Sequence, residues 1–384
     1  RGVRIVTSAK RNAFSSHEAG FVNLLLERKA GFRLDVSFSL PSAGILVLFG
    51  PSGCGKTTVL RAVAGLERAA GCVRVGDSVW QDDERGVFVP TYERNLGYVF
   101  QEASLFSHLN VDKNLRFGLE RTQTPQGEER LQYAIDLLGI RHLLLRRVSE
   151  LSGGERQRCA IARSLCLQPD ILLMDEPLSA LDWARKREIL PWLEKLRAEL
   201  HIPILYVTHS ADEMARLADW LVVLDQGRIS AQGPLASVLT NLQVPAATEH
   251  GPAGIVEGEV VSISQMWRTL AVRAGNWVLE VADDASGAAE ATTISHRVGD
   301  RIRLRILARD VGISLNPLQQ TSVRNCLPAV IDDLVEESGA YMLVRLKEGE
   351  NALLSRILRR SAAELNLKPG MRVWAQVKAA AVVI

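Results

Sequence analysis

The sequence predicts an α/β domain organised around a parallel sheet, followed by an all-β domain made of two related small barrels. Two features predict the first part. A glycine-rich loop, Gly50–Thr57, lies between a short apolar run and a helically spaced one, and a second apolar run ends in adjacent acids, Asp175 and Glu176. The third feature lies beyond residue 254, where helical periodicity gives way to short β-type runs that repeat.

At 384 residues and 47% hydrophobic composition, the chain is long enough for two or three domains with their own cores. No apolar run approaches the roughly eighteen residues that a membrane span needs; GILVLFG (44–50) and WLVVLD (220–225) have the length of buried strands. A net charge of +2 points to neither nucleic acid nor acidic lipid as a partner. The five cysteines (Cys54, Cys72, Cys159, Cys166 and Cys326) are odd in number and form no Cys-x-x-Cys pair. That argues against a disulfide framework or a zinc site and for a reducing cytosol. Residues 1–20 carry four Lys/Arg against one Glu, with no signal-type apolar core. They are expected to be an extension outside the fold, whether a tail, a cropped end or a misplaced start.

In ILVLFGPSGCGKTTVLRAVAGL (45–66), Ile45–Phe49 reads as a buried strand, and Val59, Leu60, Val63, Ala64 and Leu66 read as one helix face. Between them the pattern G-x-x-x-x-G-K-T runs through Gly50, Pro51, Ser52, Gly53, Cys54, Gly55, Lys56 and Thr57, with Thr58 next. Glycines let main-chain N–H groups curl around phosphate oxygens, and the helix N-terminus adds its positive dipole end. Lys56 is then placed for the β- and γ-phosphates of ATP, and the Thr57 hydroxyl for Mg²⁺. The plainer reading, a glycine-rich turn, loses to this strand–loop–helix setting.

DILLMDEP (170–177) supplies the other metal partner. Ile171–Met174 reads as a central parallel strand, Asp175 at its end can hold Mg²⁺ through water, and Glu176 is the candidate to orient or deprotonate the attacking water. Alone, such a pair is as often a helix cap; beside a phosphate loop it reads as catalytic. LSGGERQR (151–158) places Ser152, Gly153 and Gly154 before a helix carrying Ile161 and Leu165, an anion-ready helix end without a lysine. His209 follows the apolar stretch Ile204–Val207, as a strand-end active-site residue should. Residues 131–140 look helical, and 188–200 carry an apolar stripe of Ile189, Leu193, Leu196 and Leu200, with Pro191 expected in the first turn or at a kink.

The order phosphate loop, Gln101, LSGGERQR, LLMDEP, SALD (179–182), His209 resembles the nucleotide-binding subunit of ABC transporters, over residues 21–240. The resemblance implies a P-loop NTPase with a helical subdomain that docks a membrane-embedded partner. It further implies a head-to-tail homodimer with two ATP molecules at its interface. Lys56 and Thr57 of one subunit and Ser152–Gly154 of the other would hold each ATP. Asp182 would lie across the interface, His209 would contact the γ-phosphate, and Gln101 would ligate Mg²⁺ and report nucleotide state. Phe21 and Phe32 are the nearest aromatic residues upstream of the phosphate loop, and neither falls at the spacing the family uses for adenine stacking.

Residues 241–254 read as a Pro/Gly/Ala linker. Beyond it, GDRIRLRILARDV (299–311) aligns without gaps to GMRVWAQVKAAAV (370–382) at a constant offset of 71 (370 − 299). GEVVSI (258–263) and PAVIDD (328–333) look like the first strands of two copies, so two OB-like modules are expected, 255–318 and 319–384. Only the second is preceded by TSVRN, and only it has Lys378 where the first has Leu307. By donor chemistry the cluster can ring a tetrahedral dianion or simply cap a strand. The second module resembles the Mop-type molybdate-binding domain, which implies Ser322, Arg324, Asn325 and Lys378 as oxyanion ligands.

A chain that joins these halves looks like the ATP-binding subunit of a molybdate importer. Such a subunit is peripheral on the cytoplasmic face of the inner membrane and works with an integral permease and a periplasmic or extracellular substrate-binding protein. An importer ATPase for tungstate, sulfate, iron or a sugar is the nearest alternative. A DNA-maintenance ATPase would need long coiled-coil heptads between its motifs, which are absent from this compact stretch, and a pure oxyanion sensor would not need the ATPase set.

Overall fold

The computed structural model describes residues 18–28, 31–122, 126–243, 251–283, 296–317, 320–337, 339–378 and 380–382. Residues 1–17 of the expected extension and 244–250 of the expected linker lie outside them. The chain opens with a hairpin of β1 (Glu18–Glu27) and β2 (Arg33–Pro41). The fold therefore begins inside the stretch 1–20 expected to be extraneous. Gly20 pairs with Leu40 and Val75, and a Cβ there would stand 2.5 Å from the Arg74 carbonyl oxygen. There follow β3 (Gly44–Phe49), α1 (Lys56–Ala64), β4 (Ala70–Val75), β5 (Ser78–Asp82), β6 (Val87–Phe88) and β7 (Leu96–Val99). Three helices, α2 (Val111–Thr122), α3 (Gly127–Leu137) and α4 (Gly153–Leu165), form the helical subdomain. The domain closes with β8 (Ile171–Asp175), α5 (Trp183–Glu199), β9 (Pro203–Thr208), α6 (Ala211–Leu217), β10 (Trp220–Asp225), β11 (Arg228–Pro234) and α7 (Leu235–Leu239).

These strands form one eleven-stranded sheet, ordered β6-β5-β4-β1-β2-β11-β10-β3-β9-β8-β7. From β10 to β7 the neighbours run parallel, while β6 to β2 make an antiparallel wing. Strand β3 sends Ile45, Val47 and Phe49 into one core and Leu46 and Leu48 into another. A strand covered on both faces must be apolar at every position, which is why ILVLF shows no alternation. Two local expectations change. Gly65, at φ 77°, ends α1, so Leu66 leaves the helix and is exposed. Helix α5 starts at Asp182's cap, which puts Pro191 in its interior and not in its first turn.

The second half contains β12 (Ala253–Ser264), β13 (Thr269–Ala274), β14 (Trp277–Ala282), β15 (Arg301–Leu307) and β16 (Val311–Ser314). Then come β17 (Asn325–Glu336), β18 (Tyr341–Glu348), β19 (Asn351–Leu358), α8 (Arg359–Glu364), β20 (Arg372–Val377) and β21 (Ala381–Val382). Corresponding strands recur at nearly constant spacing, β15 to β20 by 71 residues (372 − 301) and β12 to β17 by 72 (325 − 253). The two five-stranded sheets are β14-β13-β12-β15-β21 and β16-β20-β17-β18-β19.

The expected boundary at 318/319 does not separate two closed barrels. Strand β16 pairs with β20, and β21 returns to pair with β15, so each module covers an edge of the other. The exchange removes an unpaired sheet edge from both modules. One core runs through both, with Trp277 and Leu304 from the first and Leu327 and Val377 from the second.

Candidate active site

Several of the candidate residues gather where parallel strands end. In register, Phe49 of β3 stands opposite Thr208 of β9, Val207 opposite Asp175 of β8, and Met174 opposite Val99 of β7. The residues just past these ends are the phosphate loop, His209, Glu176 and the turn holding Gln101. Carboxyl ends of adjacent parallel strands are where open α/β sheets place ligands.

All three glycines of the phosphate loop have positive φ, and two show the need most plainly. A Cβ on Gly50 would lie 2.2 Å from the Leu224 carbonyl oxygen, and Gly55, at φ 109°, sits directly before α1. Lys56 is buried, and its Nζ donates to the carbonyl oxygens of Gly50 at 2.8 Å and Pro51 at 2.9 Å. These neutral acceptors hold the ammonium where phosphate oxygens, better partners for a charge, can take it over. Cys54 turns its side chain into the core beneath the loop, and burial pushes its thiol above the ordinary range. Its place in the loop is therefore a main-chain one.

Thr57 Oγ1 donates to Asp175 Oδ1 at 2.8 Å, and the Tyr98 hydroxyl donates to Asp175 Oδ2 at 3.4 Å. Burial raises the Asp175 carboxyl above the usual range, while these two hydrogen bonds pull it partly back. A desolvated carboxylate beside a threonine hydroxyl suits a small hard cation, so Thr57 and Asp175 fit Mg²⁺. Glu176 has φ 43°, a conformation that costs a non-glycine residue on the order of 1 kcal/mol. Its N–H donates to Val207 O at 3.1 Å, and Ser179 Oγ donates to its carbonyl at 2.8 Å. So fixed, its Oε2 lies 3.1 Å from His209 Nδ1.

A cleft of about 260 Å³ runs over the phosphate loop, walled by Phe32, Arg28 and Glu176. Of the two upstream aromatics, Phe32 lines this cleft, whereas Phe21 lies within β1, paired in register with Ser39 and Arg74. Gln101 is exposed at the edge of this strand-end row. Ser152, Gly153, Gly154 and Asp182 do not line the cleft of their own chain. Ser152 caps α4, accepting from Glu155 N at 3.2 Å while its own N–H reaches Glu155 Oε2 at 2.7 Å. Asp182 caps α5 through Arg185 N at 2.9 Å. A larger cavity, about 760 Å³, separates the two halves of the protein. None of the candidate site residues lines it, and two ion pairs cross its wall, Arg197 with Asp219 and Arg303 with Glu257.

In the second β module, Asn325 pairs with Val377 at the last step of the β17–β20 ladder, and Arg324 and Lys378 are the residues just beyond that step on either chain segment. Ser322, Arg324 and Lys378 are exposed. Asn325 is not. Its Oδ1 accepts from Glu280 N at 2.7 Å and its Nδ2 donates to Glu280 O at 2.9 Å, leaving one amide N–H for any anion. Arg324 Nε donates to the Glu280 carboxylate at 3.1 Å.

A family model of ABC transporters matches residues 34–179, and a TOBE domain model matches residues 321–384. Molybdenum import ATP-binding protein ModC of Thiobacillus denitrificans is 51% identical over 355 residues, which is 92% of this chain and 95% of that protein. ModC of Pseudomonas syringae pv. syringae is 47% identical over 91% of this chain and 95% of its own. This chain belongs to the ModC family of ABC transporter ATP-binding proteins. Among solved structures, CbiO1 of Clostridium perfringens, part of the ABC transporter complex cbiONQ, superposes with a TM-score of 0.53 at 26% identity. It covers 59% of this chain and 93% of its own, the extent expected of the ATPase half alone.

As an ABC ATPase of the ModC family, the chain binds ATP with Mg²⁺ and hydrolyses it. The TOBE match falls on the module with TSVRN and Lys378 and leaves out the first copy, the same asymmetry that the alignment of the repeats displays. Sequence reasoning missed Tyr98 and Arg28. Tyr98 has a signal in retrospect, a phenol three residues before Gln101 in a strand next to the one carrying Asp175. Arg28 has none.

Proposed function

We propose that this chain hydrolyses ATP to power molybdate import. It works as a head-to-tail homodimer on the cytoplasmic face of the inner membrane, with an integral permease and a substrate-binding protein outside. The second β module holds the oxyanion and regulates transport. The observation that carries the reading is the union, in one chain aligned over its length with molybdenum import proteins, of the strand-end ATP cleft and a module that exposes Arg324 and Lys378 just past the paired ends of β17 and β20.

The chain's own groups divide the chemistry. Lys56 leaves its two loop carbonyls for the β- and γ-phosphates, and the N–H groups of Gly53–Thr58 surround them. Thr57, Asp175 and Gln101 would hold Mg²⁺, and the ion would supply charge neutralisation on the phosphate oxygens. Glu176 Oε2 takes the proton of the attacking water, oriented by His209. The absence of Ser152–Gly154 and Asp182 from their own cleft supports their service in a partner's, where the amide end of α4 meets the γ-phosphate.

The test is a calorimetric titration of the full chain with molybdate, tungstate and sulfate. Molybdate or tungstate is expected to bind more tightly than sulfate, and Arg324→Ala or Lys378→Ala to weaken it about tenfold or more. Equal affinity for sulfate would move the assignment to a sulfate importer.

A further inference from the structure

Arg303 belongs to β15 of the first β module, yet its guanidinium ends inside the ATPase domain. It is 3% exposed, and its Nη1 donates to the carbonyl oxygens of Ala215 at 3.1 Å, Arg216 at 3.1 Å and Ala218 at 2.9 Å. These are carbonyls at the C-terminal end of α6, the kind a helix end leaves without intrahelical partners. Nε of the same guanidinium is held by Glu257 Oε1 at 2.9 Å. Two residues along the strand, Arg305 pairs with Asp212 in the first turn of α6. The β module therefore grips one seven-residue helix at both ends.

That helix leads directly from the active site. Ser210 caps it, accepting from Glu213 N at 3.3 Å, and Ser210 N donates to Thr208 Oγ1 at 3.0 Å. The buried Glu213 carboxylate accepts from the hydroxyls of Thr208 at 2.8 Å and Tyr206 at 2.9 Å, and from Lys186 of α5 at 2.8 Å. His209 sits between Thr208 and Ser210, inside this set of anchors. Asp219 extends the linkage toward the phosphate loop. It lies 3.9 Å from Arg303, accepts from Arg197 Nε at 2.9 Å, and accepts at 2.8 Å from the main-chain N–H of Ile45 in β3.

We propose that Arg303 is a positioning residue for ATP hydrolysis: by holding the end of α6 it keeps His209 at its working distance from Glu176. The first β module, which lacks the oxyanion donors of its sister, is then the mechanical connection between the tail and the ATPase. Any displacement of the β domain either breaks the Arg303 contacts or carries α6, and His209 with it.

The experiment uses the full chain, with steady-state ATP hydrolysis, equilibrium binding of a non-hydrolysable ATP analogue, and thermal unfolding measured on the same samples. Arg303→Ala is expected to lower kcat about tenfold while the nucleotide Kd stays within about twofold, because the phosphate loop and Phe32 are untouched. Arg303→Lys should recover only part of the rate, since an ammonium can donate to the helix carbonyls but cannot hold Glu257 in the same fork. In a His209→Ala background, Arg303→Ala should cost nothing further, as two members of one unit do not add. Should Arg303→Ala fail to fold, Arg305→Ala at the less buried end carries the test, with an expected loss of about threefold in kcat alone. An unchanged kcat in whichever of these two folds overturns the proposal. So does a loss in Arg303→Ala that adds in full to that of His209→Ala.

Discussion

His209 Nδ1 stands 3.1 Å from Glu176 Oε2, joining a residue at the end of β9 to one at the end of β8. Glu176 is held in a left-handed conformation to make this contact, so the backbone is strained in favour of the pairing. Glu176→Gln keeps the shape and the hydrogen bond but cannot accept a proton. ATP affinity should stay within about threefold and kcat should fall at least about 100-fold. Single-turnover hydrolysis with equilibrium ATP binding measures both; hydrolysis at the parent rate would remove Glu176 from the role of base.

Asp175 allows a prediction about pH. Burial raises its carboxyl above the ordinary range, so without Mg²⁺ the folded chain holds this proton to higher pH than the unfolded chain does. The fold then loses stability as pH rises from the usual carboxylate value, about 4, through the raised one. Asp175→Asn removes that loss, and Asn can still accept from Thr57. In EDTA at neutral pH the variant should melt about 1–3 °C higher than the parent, the gap closing toward pH 4. Mg²⁺-dependent hydrolysis should disappear. A lower melting temperature in EDTA would mean that the carboxylate is stabilised in place without the ion.

Phe32 walls the nucleotide cleft, so Phe32→Ala should raise the Kd for ATP about tenfold, the size of one base–aromatic stack. Phe32→Trp should bind about as well as the parent. With saturating ATP, kcat should change by no more than about twofold, because the ring touches no reacting atom. Fluorescence titration of the variants decides it, and an unchanged Kd in Phe32→Ala would leave the adenine without this platform.

The ATPase half was legible because its chemistry is local. Gly50–Thr57 and Ile171–Glu176 are contiguous, each with a strand before it, and β3 and β8 appear where those runs predicted. The antiparallel wing was not legible. Strands such as β6, two residues long, have no periodicity to read, and their pairing depends on residues far away in the chain. The repeat in the tail was visible because Gly299 and Gly370 align with the strands after them, but the exchange of β16 and β21 was not. Which sheet a strand of four residues or two joins depends on where the chain turns. Arg303 shows the same limit. In the alignment it is one arginine of RIRLR, and only the packing of β15 against α6 distinguishes it from its exposed neighbour Arg301. Asn325 was chosen for its donors, and the structure spends one of its two amide N–H groups, together with its amide oxygen, on the Glu280 main chain.

The exchanged strands make the two β modules one cooperative unit, and Trp277 tests this. The side chain, from β14 of the first module, is fully buried, and its Nε1 donates to Pro328 O of the second module at 2.8 Å. Trp277→Phe removes the donor, leaves that carbonyl without it and shrinks the side chain. The cost should be about 1–3 kcal/mol of β-domain stability. Nucleotide binding should be unaffected, since the residue is remote from the cleft. Were the modules separate barrels, amide exchange would quicken only in β12–β15. Shared strands and a shared core require β17–β20 to open with them, so exchange should quicken in both sheets by a similar factor. Protection lost in β12–β15 alone would show that the exchange of strands does not couple the modules.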